Sequence, residues 1–586
     1  MRFIEQHLKR NGSFYWVLAI IIFHFVNNLI WCSSDWVTIE DDMCTHLQTH
    51  LFFYSQIKKA VISDLGLVHI FSTIAALMKS SRTILYPPLV YFVSAFVNIV
   101  FGTAHIMVTR LTHMIYFAIL ISSVYCIGKT CFDKKGGIIA ALLVSFFPGV
   151  LGASRLYTLD LPLTSFTALA IYCLIKTKYF SDFRRSIIFG VILGLGIMVK
   201  GQILLFLVGP IGYVLVKSLF KRDRNNSEKF ICARNCMLAL LIAGISSFLW
   251  LWPRFNVLLD RFLFLLYGVI NDPKVPVMKL DVLSWNWLLS YVYFALNNVS
   301  PVLFGLFLLG LFSSVKAQFK FKGIIISWIA VSYCILSLFS MKTDRYFMPA
   351  LPAIALITIV FFDSIKNKVF QKRLLAATVG FAIFQAMFLS YSPRSHDITV
   401  QAQRSSIFYF ITPMHKPEIA KEKEDYKNFF LESPCVNPHK SNIESIAVNI
   451  FNDLAPVFRN KAIDVGIALE YNTWNAAFSL KYVLKTMNSE MKIFQISKNK
   501  YYPLLIERDR QTYNSLKKNK YDYLIALQER GIVNDNLQGL VAAPLSDLLA
   551  DNIGNLDKYY LKNQYKVLPE GYNVFLFKRK YGKLEI

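Results

Sequence analysis

Charge and cysteine are both scarce in this 586-residue chain. Only 17% of its residues are charged while 55% are hydrophobic, a balance that argues against a soluble domain of this length and for a polytopic membrane protein. Acidic residues are the rarer sign: 37 Asp and Glu stand against 63 Lys and Arg, for a net charge of +26. The basic residues fall in short loops between apolar runs, the pattern of cytoplasmic loops in a membrane protein. No nucleic-acid partner is expected from them. The nine cysteines are scattered; no pair has zinc-site spacing, no disulfide framework is apparent, and Cys232-x-x-x-Cys236 reads as helix filler. No small-residue cleavage site follows the first apolar run, Phe14 to Trp31, so a retained helix is expected there rather than a removed signal. A phosphate-cradling Gly loop followed by Lys-Ser/Thr is also missing. The two halves show no internal repeat, which counts against the rival reading, a polytopic transporter or lipid flippase.

What is present is apolar length. A spanning helix needs roughly 20 apolar residues. Candidates are about 14–32, 109–128, 137–154, 161–176, 185–200, 201–217, 235–252, 287–315, 323–341, 346–362 and 374–391. With about eleven spans, every strongly basic loop lands on one side, which the bias of Lys and Arg makes the cytoplasm. Residues 86–108 are also apolar; if they span, every later loop flips. They are read as a juxtamembrane or partly inserted segment opening at Tyr86-Pro87-Pro88-Leu89, with proline tolerated in a first helical turn. From about Ser392 the long apolar runs stop. Short runs at Ala462–Leu469, Ala476–Leu484, Met491–Ile496, Asp522–Leu527 and Tyr572–Phe577 alternate with helix-like stretches. The expected fold class is therefore a polytopic α-helical membrane protein of about eleven or more spans with a C-terminal α/β soluble domain. The expected domains are 1–392 in the membrane and 393–586 outside the cytoplasm.

This topology collects ionisable residues on the outer face. The first outer loop, about 33–85, holds Glu40-Asp41-Asp42, His46 and His50. Later outer turns hold Ser154-Arg155-Leu156-Tyr157-Thr158-Leu159-Asp160, Lys200-Gly201-Gln202 after Gly194-Leu195-Gly196, and Asp344-Arg345-Tyr346. Charges at the hydrocarbon boundary are costly unless paired or functional. Lys200 and Arg345 abut apolar runs and are candidate ligands for an anion at headgroup depth, with snorkelling anchors as the plain alternative. Arg155 is a third basic candidate, and its plain reading is an ion pair with Asp160. His46 and His50 stand at i, i+4, two ligands where a metal site needs more.

In this order the motifs resemble the polyprenyl-phosphate-sugar-dependent glycosyltransferases of the GT-C fold, and most closely the branch of protein O-mannosyltransferases and lipid A aminoarabinose transferases. The resemblance is carried by Asp41-Asp42, where the family shows Asp-Glu, and by Tyr86-Pro87-Pro88-Leu89 with Phe101-Gly102. It continues through Ser154 to Asp160, then Gly194-x-Gly196-x-x-x-Lys200-Gly201, and finally Arg345-Tyr346-Phe347-Met348-Pro349-Ala350-Leu351-Pro352. It covers about 14–360. Leu85-Tyr86 stand where the aminoarabinose transferases carry Glu-Lys, which puts that donor in doubt.

The resemblance implies transfer of a sugar, hexosyl or pentosyl, from a polyprenyl-phosphate carrier to a glycan, lipid or protein acceptor at the outer face of a bacterial inner membrane. It implies Asp41 as catalytic base, with Asp42 the alternative register. Lys200, Arg345 and Arg155 are the implied contacts to the donor phosphate, and Asp160 and Tyr346 the orienting or acceptor residues. No cofactor is demanded, and a divalent metal is left open.

Overall fold

The computed structural model describes residues 2–34, 41–63, 66–79, 86–220, 225–256, 258–259, 285–339, 343–391 and 443–458, residue 484, and five strands between 464 and 579. The chain divides into two compact units, Met1–Trp31 with 56–437, and 32–55 with 438–586.

The first unit is helical. It opens with α1 (Arg2–Ser34); α2 (Asp41–Ile62) runs into it, and α3 (Gly66–Lys79), α4 (Leu89–Val100), α5 (Ile106–Leu111) and α6 (His113–Cys131) follow. Next come α7 (Lys134–Ser145), α8 (Pro148–Ala153), α9 (Asp160–Lys176), α10 (Phe183–Ile197), α11 (Ile203–Leu219) and α12 (Asn226–Leu251). The unit continues with α13 (Trp285–Val299), α14 (Pro301–Lys316), α15 (Lys322–Ser337), a 3-10 turn at Asp344–Ala350, α16 (Leu351–Ser364) and α17 (Lys368–Tyr391). Among the described residues, five helices are long and apolar enough to cross a membrane, or six if the bent pair α13 and α14 counts as one span. Several other expected spans are helices of 12 to 17 residues, such as α7, α9 and α11.

Proline and side-chain caps set many of the breaks. The expected single span over 287–315 is two helices meeting at 118°. Pro301 has no N–H to continue α13 and disfavours the helical region for Ser300, which stands at φ +82°. Pro148 likewise divides the expected span 137–154 into α7 and α8. At the basic loops, Asp133 accepts from the Gly136 amide at 2.7 Å, Asp182 from Arg185 at 3.1 Å and Asn225 from Glu228 at 2.8 Å. Each side chain satisfies an amide that a helix start leaves without an intrahelical partner. Helix α4, over the ambiguous segment 86–108, has only 12 residues. That is about 18 Å of helix, short of a hydrocarbon core of roughly 30 Å.

Small residues let these helices approach closely. A Cβ on Gly190 would stand 2.5 Å from the Ala239 carbonyl oxygen, so α10 rests directly on α12. A Cβ on Gly137 would stand 2.6 Å from the Tyr125 carbonyl oxygen, joining α7 to α6.

In the second unit, His46 and His50 are buried one turn apart on α2, and no third ligand joins them among the described residues. The rest of this unit is described as one helix, α18 (Ile443–Phe458), and a five-stranded sheet. Its strands are β1 (Asp464–Leu469), β2 (Lys492–Ile496), β3 (Tyr523–Gln528), β4 (Tyr559–Lys566) and β5 (Asn573–Arg579), in the order β2-β1-β3-β5-β4. β1 pairs in parallel with β2 and β3, while β5 is antiparallel to β3 and β4. Ile446, Ala447, Ile450 and Leu454 form the buried face of α18, and Lys562 of β4 pairs with Asp453 at 3.2 Å. The expected run Ala476–Leu484 lies outside the described residues apart from Leu484.

Candidate active site

Asp160 is the first residue of α9, where unpaired helix amides favour a carboxylate. Lys200 lies in the turn between α10 and α11, and its ammonium donates to the Asp160 carboxylate at 2.9 Å. The pair is nearly closed to solvent, with side chains 14% and 7% exposed. Glycines bring the turn into place. A Cβ on Gly194 would collide with Ser246 of α12, and one on Gly196 would collide with Ile203 of α11 and stand 3.5 Å from Phe166 of α9. The Gly-rich stretch therefore packs α10 against its neighbours and delivers Lys200 to Asp160.

Two further motifs meet this pair. The Leu89 amide of the Pro-Pro-Leu motif donates to the Met198 carbonyl at 3.2 Å, two residues before Lys200. The 3-10 turn packs on α9, anchored by Phe347 against Tyr291 at 5.9 Å and Tyr333 at 6.4 Å. Tyr346 thereby sets its ring 5.8 Å from the Lys200 ammonium, within cation–π range. Burial pulls the Lys200 pKa down, but Asp160, with the Tyr86 and Tyr346 hydroxyls, outweighs burial and the opposing charge of Arg345. The pKa ends above the ordinary lysine value and the side chain is an ammonium. Tyr86, Asp160, Lys200, Arg345 and Tyr346 thus form one electrostatic group.

Arg155 belongs to a different set of contacts. It is fully buried, its Nε donates to Asn28 Oδ1 at 3.1 Å, and its Nη2 donates to Ser390 Oγ at 2.8 Å. The guanidinium also lies 4.8 Å from the Trp31 ring centroid. The segment from Ser154 to Asp160 is pinned at nearly every turn. Ser154 accepts from Asn28 at 2.7 Å, and the Tyr157 hydroxyl donates to Ser94 of α4 at 2.9 Å. The Thr158 carbonyl lies 2.6 Å from His113 Nε2 of α6. Asn28, Ser94 and His113 were not among the sequence candidates. Their signal was present, as polar side chains inside apolar runs, which persist in membrane helices where they have partners.

Asp41 and Asp42 begin α2, but their side chains, like Glu40 and the side chain of Asp344, lie outside the described residues.

Known proteins are similar to the chain in part of its sequence and in its fold. Residues 86–250, which contain Tyr86, Arg155, Asp160 and Lys200, match the family model described as dolichyl-phosphate-mannose-protein mannosyltransferase. The fold is similar to that of ArnT from Cupriavidus metallidurans bound to undecaprenyl phosphate, with a TM-score of 0.59, 11% identity, and 97% of this chain and 98% of that chain covered. The same protein in the apo state gives a TM-score of 0.56 at 12% identity, covering 96% and 98% of the two chains. No curated protein sequence matches the chain.

The molecule is an integral membrane protein with the GT-C fold seen in ArnT. Its resemblance to the polyprenyl-phosphate-sugar-dependent glycosyltransferases holds in sequence over 86–250 and in fold over nearly the whole chain.

Proposed function

We propose that this chain transfers a sugar from a polyprenyl-phosphate carrier to a glycan, lipid or protein acceptor at the outer face of a bacterial inner membrane. The observation that carries the reading is the group of Lys200, Asp160, Arg345, Tyr86 and Tyr346. It gathers at helix ends and draws on four segments separated in sequence. One negative and two positive side chains leave it net positive, which suits a phosphate monoester. That ArnT is seen bound to undecaprenyl phosphate supports a carrier of the same kind here. The orientation rests on the bias of Lys and Arg to cytoplasmic loops, which puts this group and the 393–586 domain outside.

The leaving group is a lipid phosphate, already a stable anion, so it needs charge stabilisation rather than protonation. Lys200 and Arg345 supply that charge, Arg345 as a two-pronged fork. Asp160 holds the Lys200 ammonium in position, and Tyr346 covers it. Arg155, whose Nε and Nη2 reach Asn28 and Ser390, holds the Ser154–Asp160 segment. Asp41 takes the proton of the acceptor hydroxyl as general base, with Asp42 as the alternative register. Attack opposite the departing phosphate inverts the anomeric centre.

The reading is tested by reconstituting the full chain in liposomes with labelled polyprenyl-phosphate sugars and envelope extract as acceptor. Free polyprenyl phosphate should appear in proportion to sugar transferred. Donor that crosses the bilayer unconsumed would favour the flippase instead.

A further inference from the structure

The end of the helix bundle away from Lys200 holds a second chemically distinctive place. Helix α9 runs 17 residues from Asp160 to Lys176, about 25 Å at 1.5 Å per residue. Its Asp160 end carries the Lys200 group. Near its other end, Lys176, with Lys129 of α6, lies close enough to act electrostatically on the Cys126 thiol.

Beside Cys126, a cavity of about 430 Å³ opens between α1 and α6. One wall is Phe14, Val17, Leu18 and Ile21. These positions follow i, i+3, i+4, i+7 and so form a single helix stripe. They lie in the apolar stretch Gly12–Ser33, long enough to cross a membrane. Phe14 and Leu18 are 60% and 39% exposed, so the groove is open along its flank. Lys129 and Lys134 also line the cavity. Lys129 lies 5.8 Å from the Tyr125 ring centroid, and the Tyr125 hydroxyl donates to Ser13 Oγ of α1 at 2.7 Å. Among the described residues no carboxylate lines the cavity; the nearby Asp133 caps α7 through the Gly136 amide.

We propose that this groove binds one anionic phospholipid, its phosphate held by Lys129 and Lys134 and the start of an acyl chain laid along Phe14, Val17, Leu18 and Ile21. The occupant follows from the two halves of the lining. Two ammonium groups with no acidic neighbour among the described lining residues call for an anion, and basic pockets between membrane helices take anionic headgroups in this way. Four apolar side chains in a row offer nothing to a soluble anion and much to a hydrocarbon chain. The volume is within the usual range for a small-molecule site, about 300–1,000 Å³. The site lies a helix length from the Lys200 group and is independent of the transfer reaction.

The experiment is native mass spectrometry of the full chain released from nanodiscs of equal parts phosphatidylglycerol and phosphatidylcholine. The wild type should retain phosphatidylglycerol in preference to phosphatidylcholine, on the order of tenfold or more, as two ammonium groups at a lipid surface supply. The variant Lys129→Gln/Lys134→Gln should bring the ratio close to one. Leu18→Trp, which fills the groove and keeps both lysines, should also lose the retained lipid. Lys316→Gln/Lys320→Gln, which removes two lysines from another basic loop, should behave as wild type. Equal retention of the two lipids by the wild type would overturn the site, as would an unchanged ratio in Lys129→Gln/Lys134→Gln. An equal loss in Lys316→Gln/Lys320→Gln would reduce it to a general property of a basic face. Elution of each variant as a monodisperse peak separates these outcomes from misfolding.

Discussion

Lys200 and Asp160 are 40 residues apart, and their side chains meet at 2.9 Å in a place nearly closed to water. Asp160 lies where α9 begins and Lys200 where α10 has ended, so the pair measures how those two helices sit together. A partly buried ion pair contributes little net stability when intact, but losing one partner leaves an uncompensated charge.

Lys200→Met should therefore lower the melting temperature, with a loss on the order of 3–5 kcal/mol if the Asp160 carboxylate stays buried. Asp160→Asn/Lys200→Met should recover much of that stability while sugar transfer stays lost. Thermal melts and transfer assays on the same preparations check this. Activity returning with stability would show that the pair is only structural.

The same pair gives a pH dependence. The folded-state pKa of Lys200 is raised, so the stability it contributes is fully present below the unfolded lysine value, about 10.4. It is lost as pH rises through the folded value. The melting-temperature gap between wild type and Lys200→Met should stay constant from neutral pH to about 10, then narrow. A gap that narrows between pH 6 and 8 would contradict the assignment.

Arg155→Lys keeps a charge but not the guanidinium fork that reaches Asn28 and Ser390. It should cost about 1.5–3 kcal/mol for a hydrogen bond to a charged group, with an unchanged donor KM per folded molecule. Arg345→Ala should show the reverse, a raised donor KM with a small change in melting temperature. Donor titrations of both variants separate the two roles.

Gly190→Ala places a methyl against the Ala239 backbone, which cannot move aside as a flexible side chain would. Overpacking of this kind costs about 1–3 kcal/mol. Gly212→Ala in α11 meets nothing within 4 Å and should leave the melting temperature unchanged or raise it.

Asp41→Asn should slow transfer by roughly 10²–10⁴-fold, the usual contribution of a general base. Asp42→Asn should be milder. Single-turnover rates at saturating donor decide between them, and the opposite ranking would move the base one residue on.

Much of the helical unit was legible because apolar length reports helices directly, and because Asp160, Lys200, Arg345 and Tyr346 abut such runs. What the runs hid was continuity. Pro301 and Pro148 sit inside apolar stretches, and hydropathy does not register a missing amide, so two helix pairs read as single spans. Partners were equally hidden. Arg155 and Asp160 are close in sequence and looked paired, yet the described bonds of Arg155 reach Asn28 and Ser390 while Asp160 holds Lys200. In the second unit, β1, β2, β3 and β5 overlap apolar runs, whereas β4 carries Lys562, Asn563, Gln564 and Lys566. A strand this polar gives hydropathy no apolar run to register.

The joint between Leu89 and Met198 is made by one amide and one carbonyl. Backbone groups are the same whatever side chains they carry, so substitution at either position, proline at 89 apart, leaves the joint intact. A residue inserted on either side would move the amide past its acceptor and shift Lys200 with it. Such a region is permissive of changed letters and intolerant of changed length. That is one way in which a chain 11% identical to ArnT can match 98% of that chain in fold.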